Sequence, residues 1–263
     1  MLLEVNNLAV AYGKNKPPTI QNITFNMNEK EVIALVGESG SGKTTVIRAI
    51  QGVLPGEGHI TEGKALFMGK DLSEDNDAQR RAMCGTEISM IFQDSGNMMN
   101  PIRTIGKQFG DYLKAHGKTD EKEIHDTMIE MLEMVRLPRP ENILKSYTFE
   151  LSGGMRQRVG IAMSMALHPK LLLADEPTSA LDVTTQAQIV KEMMEVKDKM
   201  NTAIIIVTHN LGVAAYMADR ILVMKQGLPV EYGPAEQVIY HPQQEYTKML
   251  LDAVPRLERR AAV

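Results

Sequence analysis

Short apolar runs and helical patterns alternate along the chain. Runs rich in Val, Ile and Leu lie at residues 32–36, 88–92, 171–174, 203–207 and 221–224. Apolar runs of this length predict β-strands. Because they are continuous rather than alternating with polar residues, they indicate a sheet that is covered on both faces. The pattern therefore favours an α/β fold.

The segments around these runs predict a flanking sheet and several helices. Residues 2–10 and 20–27 alternate more between apolar and polar positions, which indicates an antiparallel flank beside the core. Helices are predicted at residues 43–52, 156–167, 184–200 and 211–218.

The stretch between residues 93 and 152 lacks strand-like runs and has helical patterns instead. Residues 111–116 and 121–135 look helical, and the second segment places apolar residues at helical spacing, at Ile124, Met128, Met131, Leu132 and Val135. We therefore expect residues 1–263 to form one domain. A helical subdomain at about residues 97–165 would be inserted into its α/β core.

Composition limits the class of protein. The chain has 263 residues, enough for one large domain with a subdomain, and a formal net charge of −4, so a nucleic-acid partner is not expected. Cys84 is the only cysteine, which excludes a disulfide within the chain and fits a reducing, cytoplasmic location. The first residues do not resemble a signal peptide. No apolar run approaches the roughly 20 residues of a membrane helix, so any membrane role would be peripheral.

One glycine-rich segment lies between a predicted strand and a predicted helix, and reads Gly37-Glu38-Ser39-Gly40-Ser41-Gly42-Lys43-Thr44. It matches the Walker A pattern for nucleotide phosphates, in the strand–helix context that this pattern requires. Glycines let backbone N–H groups converge on phosphate oxygens, and the helix N-terminus adds a positive dipole end. We expect Lys43 to reach the β- and γ-phosphates, Thr44 to bind Mg²⁺ and Thr45 to contact the α-phosphate. A dinucleotide-binding loop is the competing interpretation, but it does not require Lys-Thr after the last glycine.

The carboxylate pair Asp175 and Glu176 follows the apolar run at 171–174. Ligands bind at the carboxyl ends of parallel strands, which would place Asp175 beside the glycine-rich loop. We expect Asp175 to hold Mg²⁺ through water and Glu176 to polarise the attacking water, because phosphoryl transfer depends on positioning and charge neutralisation. Alone, such a pair is a weak signal, since most simply end a strand at the surface.

The segment Leu151-Ser152-Gly153-Gly154-Met155-Arg156-Gln157 resembles the signature sequence of the ATP-binding-cassette (ABC) family. By itself, Ser-Gly-Gly is also a common turn that caps a helix. Other positions of that family then fall in order along essentially the whole chain: Tyr12 against adenine, Gln93 as the Q-loop glutamine, Ser179-Ala180-Leu181-Asp182 as the D-loop and His209 as the switch histidine.

The resemblance implies a fold, cofactors and a mechanism. The family fold is a P-loop NTPase core with an antiparallel flank and a helical subdomain, and it uses ATP and Mg²⁺. Two such domains meet head to tail, so that Ser152, Gly153 and Gly154 of one contact the ATP bound by the other. ATP binding closes the pair and hydrolysis opens it.

The resemblance also implies roles for two polar residues at the γ-phosphate. His209 would contact that phosphate and help orient Glu176 and water, and Gln93 would sense Mg²⁺ and water. One position departs from the family, because Asn210 stands where an acidic residue usually follows the switch histidine. We expect its hydrogen-bonding partner to differ, without loss of activity.

Several segments resemble the branch of the family that imports peptides or nickel: Phe92-Gln93-Asp94 with Asn100-Pro101, residues 177–184 with Gln186-Ala187-Gln188, and Ala253-Val254-Pro255-Arg256. That branch implies a second, similar ATPase subunit, two transmembrane permease subunits and an extracytoplasmic substrate-binding protein. This chain would be peripheral on the cytoplasmic face of the inner membrane. Peptide-type members often carry a longer, cysteine-containing tail, so the end at Val263 tilts the interpretation modestly towards nickel or metallophore import. A short peptide-importer subunit stays open.

Two other classes of function compete with transport. Repair ATPases of this family separate their nucleotide-binding halves by a long coiled coil, and the chain has no sustained heptads between Lys43 and Ser152. Translation factors of the family carry two cassettes in one chain, and here there is one. A nucleotide-binding regulator without turnover would be expected to lack Glu176 or His209, and both are present. Transport is therefore the favoured interpretation.

Overall fold

The computed structural model describes residues 1–14, 16–74, 77–93 and 98–253. Its strands are β1 (Leu3–Tyr12), β2 (Ile20–Met27), β3 (Val32–Val36), β4 (Gly58–Phe67), β5 (Lys70–Asp71), β6 (Ile88–Ile91), β7 (Leu171–Asp175), β8 (Ala203–Val207), β9 (Arg220–Lys225) and β10 (Leu228–Pro234). Its α-helices are α1 (Lys43–Gln51), α2 (Asp77–Met83), α3 (Ile105–Ala115), α4 (Glu121–Met134), α5 (Pro140–Lys145), α6 (Gly153–Met165), α7 (Val183–Met200), α8 (Leu211–Met217), α9 (Ala235–Tyr240) and α10 (Glu245–Asp252).

Two sheets form among the described residues. The central sheet has the order β10-β9-β3-β8-β7-β6, and its strands from β9 to β6 pair in parallel. β10 adds an antiparallel edge beside β9. The second sheet has the order β2-β1-β4-β5 and is antiparallel. The carboxyl ends of β3, β7 and β8 therefore lie side by side at one edge of the central sheet.

The central sheet is buried on both faces, which explains its continuous apolar strands. Along β3, Val32, Ala34 and Val36 pack into a core shared with the helical segment. Ile33 and Leu35 point to the opposite face, into a core shared with α1 and the antiparallel sheet. Because successive side chains of a strand alternate between faces, every residue of β3 becomes apolar.

The segment between β6 and β7 contains helices α3 to α6, of which α3, α4 and α6 overlap the helices predicted from the sequence. Its apolar residues, including Phe109, Met131 and Val159, are buried together with one face of the central sheet. Arg158 of α6 donates to both carboxylate oxygens of the buried Glu192 of α7, at 2.7 and 3.1 Å. This ion pair fixes the helical segment against the α/β core.

Some elements lack an apolar pattern and were not predicted, namely β4, β5, β10, α2, α5, α9 and α10. In β4 only Ala65 and Phe67 are buried, since most of the strand faces solvent and is held by pairing with β1. β10 contains Pro229 and Gly233, which weaken a strand pattern. Asn97, at the predicted start of the subdomain, Asp94 and residues 254–263 lie outside the described residues. Among the described residues, no helix has the length and apolarity to cross a membrane.

Candidate nucleotide-binding site

The glycine-rich loop occupies residues 37–42, between the end of β3 and the start of α1, and close packing requires two of its glycines. A Cβ at Gly37, whose φ is +147°, would lie 2.1 Å from the carbonyl oxygen of Met224. A Cβ at Gly42, whose φ is +97°, would lie 2.4 Å from Cγ2 of Ile20. Gly42 is also the N-cap of α1 and has no side chain to bond the first helical N–H groups. These N–H groups remain available to an anion.

The side chain of Lys43 is folded over this loop. Its Nζ donates to the carbonyl oxygens of Gly37, at 2.9 Å, and Glu38, at 2.8 Å, and to Oγ of Ser41 at 3.3 Å. Burial lowers the pKa of Lys43, while the neighbouring carboxylates of Glu176, Asp175 and Glu38 act in the opposite direction. The loop thus holds a cationic group directly at its centre, next to the N-terminus of α1.

Thr44 and Asp175 meet where α1 begins and β7 ends. The Thr44 hydroxyl donates to Oδ1 of Asp175 at 2.8 Å. Asp175 is 2% exposed, and burial raises its pKa, although the hydrogen bond from Thr44 acts in the opposite direction. Two adjacent oxygen donors fit Mg²⁺, which takes few protein ligands and completes its shell with water and phosphate oxygens. No group of three or more His, Cys, Asp or Glu side chains suited to a metal occurs within the described residues.

Glu176 and His209 come together because β7 and β8 are neighbours in the sheet. Oε2 of Glu176 lies 3.2 Å from Nδ1 of His209. The backbone of Glu176 has φ of +44°, which is uncommon for a residue with a side chain. Its N–H donates to the carbonyl oxygen of Val207 at 3.0 Å. Strained backbone of this kind concentrates at functional sites.

A cleft of about 700 Å³ joins these groups, and it is lined by Thr19, Ser39, Gly40, Gly42, Lys43, Thr44, Thr45, Gln93, Glu176 and His209. Most of these residues were singled out in the sequence. Thr19 was not, because it lies in the loop before β2 and matches no pattern. Tyr12 lies beside the cleft, with its hydroxyl 3.4 Å from Oγ1 of Thr45. Its ring packs on Gly58, where a Cβ would lie 2.7 Å from Cε1 of Tyr12.

The predicted signature segment lies apart from this cleft. Ser152 is the N-cap of α6 and accepts a hydrogen bond from the Met155 N–H at 3.3 Å. Ser152 and Gly153 are exposed. A small cavity of about 60 Å³ separates the segment from the main cleft, and Gly153 and Glu176 both line it. Glu176 therefore borders both regions.

Asp182 also lies away from the cleft, and its contacts are those of a helix cap. It is the N-cap of α7 and accepts from the backbone N–H of Thr185 at 3.0 Å and from its hydroxyl at 2.7 Å. The hydrogen bond from the Thr185 N–H, followed by that from its hydroxyl, lowers the pKa of Asp182.

Asn210 has a partner that the sequence did not reveal. Its Oδ1 caps α8 by accepting from the N–H groups of Gly212 and Val213, at 2.9 and 3.3 Å. Its Nδ2 donates to Oε1 of Gln186 at 3.2 Å, and Nε2 of Gln186 donates to Oγ1 of Thr178 at 2.8 Å. This chain of amide and hydroxyl groups connects the loop after β8 with the loop after β7.

The sequence of this chain is similar to those of known proteins. A family model described as "ABC transporter" matches residues 20–179. The oligopeptide transport ATP-binding protein OppD of Bacillus subtilis is 44% identical over 98% of this chain and 73% of its own length. The dipeptide transport ATP-binding protein DppD of the same organism is 42% identical over 99% of this chain and 79% of its own length.

Solved structures show the same fold. A dimeric ATP-binding cassette in a post-hydrolysis state, bound to ADP and Pi, superposes with a TM-score of 0.77. The match covers 89% of this chain and 99% of that one, at 24% identity. The α/β fold class predicted from the sequence is thereby confirmed.

Proposed function

This chain belongs to the ABC transporter family and is an ATPase of that family, and we propose that it powers the import of short peptides. The observation that carries the peptide assignment is the similarity, over nearly the full chain, to ATP-binding proteins named for dipeptide and oligopeptide transport. Nickel or metallophore import was an equal expectation from the sequence. The relatives described above favour peptides.

We propose that residues in and beside the cleft bind ATP. We assign the phosphates to the N–H groups at the start of α1 and to Nζ of Lys43. The Thr44 hydroxyl and Asp175 would hold Mg²⁺, the latter through water. When bound, the ion neutralises charge on the phosphates. Gln93 lines the cleft beside these groups and would respond to the ion and its water, and Tyr12 and Thr45 would lie towards adenine and the α-phosphate.

Glu176 and His209 supply the groups for hydrolysis. We assign Glu176 as the general base that takes the proton of the attacking water. His209, whose Nδ1 lies 3.2 Å from that carboxylate, would orient it and contact the γ-phosphate. Both residues follow strands of the central sheet, so their positions relative to Lys43 depend on the most buried part of the fold.

The segment Ser152, Gly153 and Gly154, of which the first two residues are exposed and the third is half-buried, supports a site shared between two subunits. Because it lies outside the chain's own cleft, we propose that it contacts ATP on a second, similar ATPase subunit, with Asp182 near the same interface. Two transmembrane permease subunits and an extracytoplasmic substrate-binding protein would complete the importer. The chain would then be peripheral on the cytoplasmic face of the membrane.

Stimulation of ATP hydrolysis tests the substrate class. The complete complex would be purified from its membrane and supplied with its binding protein, and then with mixed short peptides or with nickel chelates. We expect peptides to raise the hydrolysis rate and nickel chelates to leave it unchanged. Stimulation by nickel chelates alone would overturn the peptide assignment. Full activity in a strictly monomeric sample would overturn the shared site.

A further inference from the structure

The C-terminal helix α10 reaches the glycine-rich loop through one side chain. Tyr246 is 8% exposed, and its ring belongs to the core that also covers the helical side of the central sheet. Its hydroxyl oxygen accepts a hydrogen bond from the backbone N–H of Glu38 at 3.3 Å. Tyr246 and Glu38 are 208 positions apart in the sequence. This contact therefore joins the last described helix to the second residue of the loop.

Neighbouring groups fix the Tyr246 ring in place. Nζ of Lys225, the last residue of β9, lies 4.6 Å from the ring centroid. A cation over an aromatic face is attracted by the negative charge on that face. The next turn also contacts the loop, since the Gly227 N–H donates to the carbonyl oxygen of Ser41 at 3.1 Å. The turn after β9 and helix α10 thus support the loop, and neither Gly227 nor Tyr246 lines the cleft.

Both backbone polar groups of Glu38, its N–H and its carbonyl oxygen, make hydrogen bonds to side chains. Its carbonyl oxygen accepts from Nζ of Lys43 at 2.8 Å, on the cleft side. Its N–H is occupied by the Tyr246 hydroxyl, and Tyr246 does not line the cleft. A loop that must present several N–H groups to one ligand binds it more tightly when its conformation is already ordered. The contact between Tyr246 and Glu38 orders the loop without occupying a residue that lines the cleft.

We propose that Tyr246 is a positioning residue for ATP binding, which keeps the first turn of the glycine-rich loop in the conformation that receives the phosphates. The proposal rests on the assignment of residues 37–44 to the phosphates. It makes α10 a contributor to ATP affinity, although no residue of that helix lines the cleft.

The test compares Tyr246→Phe with Tyr232→Phe. Each change removes a hydroxyl that makes a 3.3 Å hydrogen bond to a backbone group, to Glu38 N–H in the first case and to the Asn26 carbonyl in the second. Each ring also carries a cation, Lys225 or Arg220. The Tyr246 hydroxyl accepts its hydrogen bond and the Tyr232 hydroxyl donates its own, so the variants match in the group that is removed and differ in their contact with the loop. Affinity would be measured on the full chain with a fluorescent ATP analogue, and KM and kcat on the assembled transporter.

We expect Tyr246→Phe to weaken nucleotide binding and to raise KM for ATP by about 2–10-fold, the size of one ordinary hydrogen bond, with kcat nearly unchanged. Tyr232→Phe should leave affinity and KM unchanged. Equal affinities in the two variants would overturn the proposal. So would a loss of kcat at unchanged KM, or a loss of affinity that merely follows an equal loss of thermal stability in both.

The same assay on Lys43→Ala separates this proposal from the assignment on which it rests. If Lys43→Ala keeps full affinity, the loop is not the phosphate site and both conclusions fail. If Lys43→Ala loses affinity and Tyr246→Phe does not, only the role of Tyr246 is rejected.

Discussion

The chain has two glycine-rich helix N-termini, at α1 and at α6, and they are built differently. At α1 the N-cap is Gly42, a cationic side chain lies over the loop, and a buried carboxylate faces the first turn. At α6 the N-cap is Ser152, whose own hydroxyl satisfies a helical N–H, and the neighbouring Arg156 donates to the Leu151 carbonyl oxygen at 2.9 Å. Both ends carry the positive part of a helix dipole. The N-terminus of α1 has no side-chain cap and lies beside a lysine and a carboxylate, whereas the N-terminus of α6 is capped by its own serine.

This difference indicates that the α1 and α6 regions have different roles in the proposed function. If the proposed assignments hold, the α1 region binds a nucleotide by itself, because Lys43 and Thr44 line one cleft and Thr44 is hydrogen-bonded to Asp175. The α6 region exposes Gly153 to solvent, and under the proposed shared site it contributes only when a second subunit meets it. Glu176 borders both regions. We therefore expect ATP hydrolysis, the step that would use both regions, to depend most on Glu176.

Glu176→Gln tests that step and should give the largest effect. The amide keeps the size of the side chain but cannot take a proton from water. We expect ATP binding to persist and hydrolysis by the assembled complex to fall by about 10²–10⁴-fold, the range for a lost general base. Glu245→Gln, at an exposed residue of α10 paired with Lys248, is the control and should retain its rate. Near-normal hydrolysis by the Glu176 variant would reject the general-base role.

Lys43→Ala tests whether the α1 region is sufficient for binding. Nζ of Lys43 is placed among three loop oxygens, and its loss removes charge-assisted hydrogen bonds to phosphate that are worth about 1.5–3 kcal/mol each. We expect ATP affinity of the isolated chain to fall by about 10–100-fold. Lys114→Ala, at an exposed ion pair with Glu121, should bind as the unaltered chain does. If α6 were the stronger anion site, the Lys43 variant would bind normally.

The α1 region could be predicted from the sequence because it is local. Residues 37–44 are contiguous, and the strand before them is apolar throughout since both of its faces are buried. Asp175 and Glu176 could be placed beside them because parallel strands bring their carboxyl ends to one edge. Gln93 and His209 required the family resemblance, since a single glutamine or histidine after a strand has no pattern of its own.

The rest depends on contacts between distant parts of the chain. Asn210 bonds to Gln186, 24 positions away in the sequence, and Tyr246 bonds to Glu38, 208 positions away. Neither contact can be predicted from the spacing of residues along the chain. Strand β4 escaped prediction because it is held by pairing with β1 rather than by burial of an apolar face. The sequence therefore predicts the groups that touch the nucleotide better than the groups that hold them.

Gly153→Ala tests whether the α6 region acts outside its own chain. A Cβ at Gly153 would meet only Cδ2 of Leu181 at 3.7 Å, an ordinary contact, so folding should be unchanged. A Cβ at Gly154 would lie 2.8 Å from Cγ2 of Thr185, inside the chain. We expect Gly153→Ala to keep its thermal stability and ATP affinity and to lower hydrolysis by the complex about 10-fold, since small misplacements at a shared site are costly.

Gly154→Ala is the matched control for that experiment. Because its new methyl group would press on α7, we expect it to lower thermal stability as well as hydrolysis. Unchanged hydrolysis by the Gly153 variant would mean that the exposed glycines contact no ligand in the working complex.

Substituting Asp175, beside α1, or Asp182, the N-cap of α7, should change thermal stability slightly and in opposite directions. Burial raises the pKa of Asp175, so the folded state holds its proton more tightly than the unfolded state does. The stability that Asp175 contributes is present below its ordinary pKa and is lost as pH rises through the raised pKa. Without Mg²⁺ or nucleotide, Asp175→Asn should therefore raise the melting temperature at neutral pH, by about 1–4 °C, and this gain should vanish in acid.

Asp182 should behave in the reverse way. The hydrogen bonds from Thr185 lower its pKa, so its contribution is present above its ordinary pKa and is lost as pH falls through the lowered value. Asp182→Asn keeps a capping oxygen, and we expect a slight loss of stability at neutral pH that disappears in acid. Melting curves of both variants between acid and neutral pH would check this.

For Asp175→Asn, a loss of stability at neutral pH would show that the Asp175 carboxylate stabilises the fold in the absence of a ligand. The predicted gain would instead show that this carboxylate destabilises the empty fold, as expected for a group whose role is to bind a cation.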